Sequence, residues 1–314
     1  MNPEMDGYWQ FLGRVDLEGL YFYHSPVPGD AEGEEYFRKH LHDMVGADFE
    51  MEFEHIGFWD LRISHAASYR KGPVFIAGDA AHSHPPYGGY GVNTGLEDAR
   101  NLGWKLAAML QGWGSEALLD SYSVERHPVF RSVSRDFIGR MIEDFRDFTA
   151  RYSPLTDKIS FEAAWKARAE ADDTDVTEFL PHYAGSPIVH GEKGALSGAK
   201  GLHRVKAEAG YHLSPQPLPG GSDLWEALGP GFTLLELGTT REAGDRFEQV
   251  AKSQSVPFQR VFEPSTELCT VYGAELILVR PDQFVAWAGQ TDSADASGIL
   301  SRAIGSDSSI NPGK

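Results

Sequence analysis

Short aromatic and β-branched runs, separated by Gly, Pro and Asp, occupy the first seventy residues, a pattern typical of antiparallel strands. They predict strands over Tyr8–Leu12, Gly19–His24 and Phe53–Ile63, with a helix between about Glu34 and Val45. The aromatic side chains could form one wall of a substrate site or the ordinary core of a sheet. The pattern leaves both interpretations open.

Residues 73–150 change to a buried strand, a loop and then helices. The apolar run Val74–Ala77 predicts the strand. After the loop, apolar residues recur at i, i+3, i+4 and i+7, which predicts a helix that buries one apolar face. Gly112 is expected to end this helix, Ser115 to cap a second one, and Pro128 to kink or break that second helix. The predicted buried face consists of Leu96, Ala99, Leu102, Gly103, Leu106 and Leu110.

Acidic and then Gly-rich residues over 153–200 predict a boundary that contains one helix, Phe161–Ala171. Beyond it the apolar runs predict a strand–helix–strand unit followed by a strand–strand–helix unit, which together form a compact α/β domain. The predicted elements are strands Phe232–Glu236, Pro257–Phe262, Glu275–Val279 and Phe284–Ala288 and helices Ala243–Ser253 and Ala294–Ile304.

These elements predict a mixed α/β (α+β) chain, and 314 residues allow about two domains. We place a first domain at 1–155, a linker with a helix at 156–202 and a second domain at 203–305. The polar stretch 306–314 is expected to be a disordered tail.

Charge and composition exclude several classes of partner. The formal net charge of −18 argues against nucleic acids and anionic membrane surfaces. The single cysteine, Cys269, excludes an intrachain disulfide and a Cys-x-x-Cys site. Since no apolar run approaches the ~20 residues of a membrane span and no signal peptide is evident, we expect a soluble, cytoplasmic protein.

Candidate chemistry concentrates between Gly78 and Arg100, which read GDAAHSHPPYGGYGVNTGLEDAR. Asp79 follows the carboxyl end of the predicted strand, where α/β sheets bind ligands. A carboxylate in this position can accept hydrogen bonds from polyol or ribose hydroxyls. Gly78 and Asp79 are therefore predicted binding residues.

The second part of the loop combines stiff and permissive backbone. Pro86 restricts the chain, whereas Gly88 and Gly91 allow it to approach a ligand without a Cβ clash. The N–H groups of Val92 and Asn93 lie near a predicted helix N-terminus, and such amides with the helix dipole favour negative charge. The loop is thus expected to contact something flat and electron-rich.

Three other interpretations of this region differ in strength. Gly89-x-Gly91-x-x-x-Gly95 is not a dinucleotide fingerprint, because the strand does not lead directly into it. A plain strand–helix connection, capped by Asp79 and Asn93, remains an alternative. His82 and His84 have no evident third ligand, so no metal site is expected.

One more sequence pattern lies on the second predicted helix. Glu125 and Arg126 could form an ordinary surface pair, or Arg126 could be buried and anchor a turn.

The loop and its flanks resemble the second FAD-binding motif of the flavoprotein aromatic hydroxylases, the class A flavoprotein monooxygenases. The resemblance is carried by Gly78–His82, Pro85–Gly95 and Asp98–Leu106, and Tyr122-x-x-Glu125-Arg126-x-Pro128 continues it. It implies the FAD domain of the p-hydroxybenzoate-hydroxylase-like fold with its antiparallel substrate sheet. Residues 203–305, with Gly231–Leu235 and Leu278–Asp282, resemble the thioredoxin-like C-terminal domain of phenol-hydroxylase-type members.

The resemblance implies roles for the loop residues. Asp79 would bind the ribityl chain of FAD, and Pro86 to Gly91 would lie beside the isoalloxazine and the substrate, which makes the Pro86 backbone the expected catalytic position. The amides of Val92 and Asn93 would hold the pyrimidine end of the ring. The implied reaction uses NAD(P)H, FAD and O2 to hydroxylate an aromatic, phenolic substrate.

The sequence also departs from the family pattern. The opening GxGxxG segment and a later Asp-Gly segment are not found, so the chain is expected to be the C-terminal portion of such an enzyme. The N-terminal half would be cut away or supplied by another chain. Without a Cys-x-x-Cys, the C-terminal domain is expected to be a structural or interface module. A homodimer is implied by the resemblance alone.

Two further functions stay open at this point. The chain could be a non-catalytic fragment with a binding or assembly role, or a different FAD enzyme of the superfamily such as a halogenase or reductase. The residues specify neither the substrate, nor NADH against NADPH, nor the catalytic base.

Overall fold

The computed structural model describes residues 10–58, 62–171, 177–218, 221 and 223–307. Its strands are β1 (Phe11–Arg14), β2 (Tyr21–His24), β3 (Ser64–His65), β4 (Arg70–Lys71), β5 (Val74–Phe75), β6 (His82–Ser83), β7 (Phe179–His182), β8 (Gly198–Lys200), β9 (Phe232–Glu236), β10 (Phe258–Phe262), β11 (Leu276–Val279) and β12 (Val285–Gly289). Its α-helices are α1 (Gly33–Val45), α2 (Tyr90–Leu110), α3 (Glu116–Ser132), α4 (Arg140–Arg151), α5 (Lys158–Ala171), α6 (Glu242–Ser253), α7 (Thr266–Tyr272) and α8 (Ala296–Ala303).

The chain divides into two compact units. The first consists of the described residues of 1–60 and 144–172, and the second of the described residues of 61–143 and 173–314. In the first unit β1 and β2 pair antiparallel, as predicted, and α1 matches the predicted helix. Rings of α4 and α5 pack together there, with Phe161 stacked on Trp165 at 5.8 Å between centroids. The start of the first predicted strand, residues 8 and 9, lies outside the described residues.

The second unit contains a four-stranded sheet in the order β10-β9-β11-β12. β9 and β10 are parallel and are connected through α6, whereas β11 is antiparallel to both β9 and β12. This confirms the predicted strand–helix–strand and strand–strand–helix units and fits the implied thioredoxin-like arrangement. The short α7, whose first turn is capped by the Ser265 hydroxyl, was not among the predicted elements.

Both faces of this sheet are covered, so alternate residues of each strand enter different cores. Phe232, Leu234 and Leu278 belong to one apolar core, together with Ala108 and Leu118 of the α2–α3 region. Leu235, Ile277, Val279 and Val285 belong to the other core, on the opposite face. The sheet therefore lies against helices α2 and α3 on one side.

The prediction for the buried face of α2 is wrong. Leu96 is 65% exposed and Leu110 is 88% exposed. The buried positions of this helix are instead Thr94, Asp98, Asn101, Lys105 and Ala108. The physical reason lies on α3, which presents Glu125 and Arg126 to α2, so that the polar side of α2 finds charged partners there.

Two further local predictions need correction. Residues 53–58, 62 and 63 form no strand, and the Met51 carbonyl just before them accepts a hydrogen bond from the Arg38 side chain (2.8 Å) rather than from a neighbouring strand. Residues 59–61 of that prediction lie outside the described residues. Pro128 does not break α3, which remains helical to Ser132 and passes into a π-helical segment, Val133–Gly139.

The ends of α2 and α3 follow the prediction. α2 ends at Leu110 before Gly112, which has φ +82°, and the Ser115 hydroxyl caps α3 by accepting from the Leu118 N–H at 3.3 Å. The described residues include no helix with both the length and the apolar character that a membrane crossing requires. Of the predicted tail 306–314, residues 308–314 lie outside the described part of the chain.

Candidate active site

Residues 78–93, here called loop 78–93, connect β5 to α2 in three short steps. A 3₁₀ turn covers Gly78–Ala80, β6 pairs with β3, and a second 3₁₀ turn covers Tyr87–Gly89. Gly78 and Gly88 have φ +55° and +65°, in the left-handed region that glycine adopts without a steric penalty. The glycines thus allow two sharp changes of direction within sixteen residues.

The beginning of the loop lies against the first turns of α2. A Cβ added to Gly95 would meet the Gly78 Cα at 3.4 Å, so the two backbones approach closely. Asp79 follows directly and is exposed. Among the described residues its carboxylate has no hydrogen-bond or ion-pair partner. A carboxylate of this kind is available to a ligand.

The N-terminus of α2 is also available to a ligand. Its N-cap is Gly89, with no side-chain cap, and no acidic residue lies in the first turn. The helical bonding rule leaves the amides of Tyr90, Gly91 and Val92 without a carbonyl four residues earlier in the helix. The Asn93 amide has such a carbonyl in Gly89, which also accepts from the Asn93 side chain at 2.9 Å.

Pro86, Gly88, Val92 and Asn93 are all exposed, and Gly91 is half-buried. They lie along one stretch of backbone between Asp79 and the first turn of α2. Neither Asp79 nor Asn93 occupies an N-cap position, since the caps of the three helical elements of this region are Ala77, Pro86 and Gly89. The alternative of a plain connection capped by these two residues is therefore not what the structure shows.

Asp98, which is fully buried beneath the loop, connects three parts of the site. Its Oδ2 accepts hydrogen bonds from the Gly78 amide (3.0 Å) and from His82 Nε2 (2.7 Å). Its Oδ1 accepts from Arg126 Nε at 2.7 Å. Burial opposes ionisation of Asp98, but His82 and the Arg126 charge outweigh it and hold the pKa of this carboxyl below its ordinary value.

Arg126 extends this support to α2 and to Tyr183, the residue that follows β7. Its Nη2 donates to the Thr94 carbonyl and its Nη1 to the Tyr183 hydroxyl, both at 3.1 Å. The side chain is buried, which resolves the two sequence interpretations in favour of an anchoring arginine. Burial opposes its charge, yet Tyr183 and Asp98 keep the pKa of Arg126 above its ordinary value.

Sequence reasoning did not assign a role to Asp98. The available signal was its position on the predicted helix, four residues after Thr94 and therefore on the same face. Only the neighbouring Arg126 reveals why an acidic residue occupies this place.

The two histidines of the loop, His82 and His84, pack against the interior of the protein. His82 stacks on Phe130 with ring centroids 4.2 Å apart, and His84 stacks on the same ring at 5.7 Å. The Nδ1 of His84 lies 2.7 Å from the Pro85 carbonyl oxygen. Burial lowers the pKa of His84, which favours the neutral ring. These rings therefore stiffen the middle of the loop.

The arrangement presents hydrogen-bond acceptors and donors on one loop. The exposed Asp79 carboxylate can accept from hydroxyl groups, and the uncapped N-terminus of α2 can donate to an anionic or polarised ring. The buried Asp98–Arg126 pair keeps both in a defined relative position, because it bonds to Gly78 and to Thr94. This geometry suits a ligand with a polyol portion and an electron-rich portion.

Comparisons with known proteins relate two segments of the chain to known families. Residues 23–136 match the "FAD binding domain" family, and residues 209–306 match the family "Aromatic-ring hydroxylase, C-terminal". Among curated proteins, the 4-methyl-5-nitrocatechol 5-monooxygenase of a Burkholderia species is 30% identical over 82% of this chain and 47% of its own length. The uncharacterized aromatic compound monooxygenase YhjG of Bacillus subtilis is 32% identical over 90% of this chain and 53% of its own length.

Solved structures show the same fold. The rebeccamycin biosynthetic enzyme RebC with reduced flavin superposes with a TM-score of 0.75 at 29% identity, over 94% of this chain and 56% of RebC. The predicted fold class, a mixed α/β chain of the p-hydroxybenzoate-hydroxylase-like type, is thereby confirmed. The chain spans about half the length of the curated relatives that it matches. It belongs to the family of FAD-dependent aromatic-ring hydroxylases.

Proposed function

We propose that this chain forms the part of an FAD-dependent aromatic monooxygenase that holds the ribityl and isoalloxazine portions of FAD and faces the substrate. The observation that supports it best is loop 78–93, where an unpaired carboxylate and an uncapped helix N-terminus are fixed together by buried Asp98. Residues 1–155 would be the second half of the FAD and substrate domain, and 203–305 the thioredoxin-like domain.

The residues present fit FAD. Asp79 offers a free carboxylate to the ribityl hydroxyls, and Gly78 holds the turn in which Asp79 lies. Pro86, Gly88 and Gly91 offer backbone to the flat face of the ring. The α2 N-terminus, where the Val92 amide has no acceptor within the helix and Asn93 completes the first turn, offers an amide and the helix dipole to the pyrimidine end, where reduced flavin is negatively charged.

Bound FAD would supply the redox and oxygen chemistry, with NAD(P)H as the reductant and O2 as the co-substrate. The role of this chain would be to orient the ring through the α2 amides and to present the Pro86 backbone beside it. An aromatic, phenolic substrate is proposed because the relatives include a monooxygenase named for 4-methyl-5-nitrocatechol and one named for tetracenomycin B2.

We further propose that additional protein of the flavin-binding domain, in a longer chain or a second chain, covers the outer face of α2. Val92 (69%), Leu96 (65%) and Leu110 (88%) are exposed along that face. Such a row of apolar side chains on a helix is typical of a face that packs against other protein. The curated relatives, about twice as long as this chain, contain protein that could fill this role.

A flavin-binding experiment tests the proposal. The purified chain is mixed with FAD, desalted, and its visible spectrum is recorded for wild type, Asp79→Ala and the surface control Asp292→Ala. We expect retained flavin in wild type and control, and at least tenfold weaker binding in Asp79→Ala, because the ribityl acceptor is lost.

The opposite result is equally informative. If wild type and Asp79→Ala retain flavin equally, Asp79 is not a flavin ligand and the assignment of loop 78–93 is wrong. If no variant retains flavin even when the remaining half of the domain is added, the chain is not a flavin-binding half and the non-catalytic alternative is favoured. Where flavin is retained, a hydroxylated rather than a halogenated or reduced phenol identifies the monooxygenase.

A further inference from the structure

A second buried cluster of charges adjoins the Asp98–Arg126 pair. Its centre is Glu125, the residue before Arg126 on α3, and both oxygens of its carboxylate are fully engaged. Oε1 accepts from Arg280 Nη1 and from the Ser186 hydroxyl, each at 2.6 Å. Oε2 accepts from Lys105 Nζ and Asn101 Nδ2 at 2.6 Å and from Arg280 Nη2 at 3.0 Å.

Arg280 brings the C-terminal domain into this cluster. It follows β11 directly and is buried. Its Nε donates to Asp282 Oδ1 at 2.9 Å, and Asp282 Oδ2 accepts from the Trp104 indole at 3.0 Å. The turn between β11 and β12 is therefore bonded to α2 through Trp104 and to α3 through Glu125.

The charges of this cluster balance, since Lys105 and Arg280 face Glu125 and Asp282. Burial opposes ionisation of Glu125, but the Arg280 and Lys105 charges hold the pKa of Glu125 well below its ordinary value. Burial lowers the pKa of Lys105 to about 8. Arg280 donates to both oxygens of Glu125, whereas Lys105 donates to one.

Tyr183 connects the two clusters. Its hydroxyl accepts from Arg126 Nη1 at 3.1 Å, and its ring stacks on Phe284 with centroids 4.2 Å apart. The Arg280 guanidinium lies 5.3 Å from the centre of the same ring. One aromatic side chain therefore contacts the anchoring arginines of the loop and of the C-terminal domain.

A cluster of this kind is more useful for geometry than for stability. Apolar residues of equal volume often fill such a space with equal or better stability, whereas bidentate ion pairs are directional. The C-terminal domain also has a single cysteine, Cys269, so it has no dithiol to act as a redox centre. The function of this domain must therefore be sought elsewhere, and its contact with α2 and α3 through Arg280 is the candidate.

We propose that Arg280 is a positioning residue, through which the C-terminal domain holds α3 in register and thereby fixes the Asp98–Arg126 pair that carries loop 78–93. The proposal rests on the assignment of this loop as the flavin site. Glu125 and Arg126 are adjacent on α3, so a displacement of one moves the other. Loss of the bidentate Arg280–Glu125 contact loosens the hydrogen bond from the Gly78 amide to Asp98.

Hydrogen–deuterium exchange of the full chain tests this directly, with and without FAD. The variants are Arg280→Lys, which keeps the charge but loses the bidentate geometry, and Tyr183→Phe, which removes only the hydroxyl. The control is Arg260→Lys, since Arg260 forms ion pairs with Glu236, Asp245 and Glu248 in the same domain.

We expect peptides that cover 78–94 to exchange at least tenfold faster in Arg280→Lys and several-fold faster in Tyr183→Phe, with unchanged exchange in Arg260→Lys. FAD affinity falls in the same order. If Arg280 had a merely structural role, the exchange rate of peptides 78–94 would change equally in Arg260→Lys and in Arg280→Lys.

Exchange changes confined to residues 276–289, with loop 78–93 unaffected, would overturn the proposal while leaving the flavin site intact. If Arg280→Lys does not fold, Asp282→Asn takes its place, because Asp282 accepts from Arg280 Nε and so orients the guanidinium toward Glu125. Unchanged exchange of loop 78–93 in that variant overturns the proposal. If wild type binds no FAD in any form, the proposed function fails, and the exchange rates still decide whether Arg280 positions the loop.

Discussion

The C-terminal sheet and the α2–α3 pair both have buried interiors, but the two interiors are built from opposite chemistry. All five residues of β9 are buried, and its core contacts are those of Phe232, Leu234 and Leu235. Helix α2 instead buries Asp98 and Lys105 and exposes Leu96 and Leu110. The difference teaches that the partner surface decides which face of a helix is buried, and that apolar character does not decide it alone.

The two interiors also contribute differently to the protein. Apolar burial is non-directional and contributes about 25 cal/mol per Å² of buried surface. Buried ion pairs contribute little net stability because desolvation offsets their attraction, but their hydrogen bonds define distances and angles. We therefore interpret the sheet as the stabilising part of the second unit and the ion clusters as the part that positions loop 78–93.

The largest expected effect comes from removing the centre of the ionic interior. Glu125→Ala leaves the buried charges of Arg280 and Lys105 without their shared partner, so we expect the free energy of unfolding to fall by about 3–5 kcal/mol. The measurement is urea unfolding at pH 7.

Glu236→Ala is the matched control for that experiment, because its partner Arg260 keeps Asp245 and Glu248. We expect the free energy of unfolding to fall clearly less in Glu236→Ala than in Glu125→Ala. Equal losses in the two variants would mean that the α2–α3 cluster is no more constrained than the Glu236–Arg260 pair, whose arginine is partly exposed, and the distinction between the two interiors would fail.

A pair of identical substitutions sharpens the comparison next. Leu234→Ala removes apolar contacts from the core of β9 and should cost about 2–5 kcal/mol. Leu96→Ala on the exposed face of α2 should change stability by no more than about 0.5 kcal/mol. Thermal or urea unfolding of the two variants beside wild type measures both. A large loss in Leu96→Ala would contradict the observed orientation of α2.

The last expected effect is a gradual dependence of the free energy of unfolding on pH. The pKa of Glu125 is lower in the folded chain than its ordinary value of 4.5, so the stability it contributes is fully present above that value and is lost as the pH falls through the folded pKa. Each unit of separation corresponds to about 1.4 kcal/mol. We expect the free energy of unfolding of wild type to decrease below pH 4.5.

Unfolding of Glu125→Gln over pH 3–7 checks the cause of that decrease. This variant should show a flatter profile in acid, because the group that takes up the proton is gone. Glu267→Gln, an exposed carboxylate on α7, should keep the wild-type profile. If Glu125→Gln retains the full slope, other carboxylates such as Asp98 account for the acid sensitivity.

Local patterns were sufficient for much of the fold. The strands of the C-terminal sheet, the Ser115 cap and the end of α2 before Gly112 all follow from apolar periodicity and turn chemistry, because these signals act over a few neighbouring residues. The family of the chain follows from the loop itself, where glycines, prolines and Asp79 have a spacing that few other structures require.

Signals that depend on distant partners could not be interpreted locally. The apolar stripe of α2 predicted burial of the wrong face, since the charges that pair with Asp98 and Lys105 come from α3 and from beyond β11. The segment 53–58 has strand-like composition, but no described strand pairs with it. A strand requires a neighbour, and no local pattern supplies one.

The sequence by itself determined the family, the α/β class and the loop that we assign to FAD, because each depends on residue types at short spacing. Only the tertiary structure decided that Asp98 joins Gly78, His82 and Arg126, and that Arg280 reaches Glu125 from 155 residues away along the chain. The physical reason is that a buried charge is tolerated only where an opposite charge meets it. That meeting is a property of the folded chain, and it is what holds the site in place.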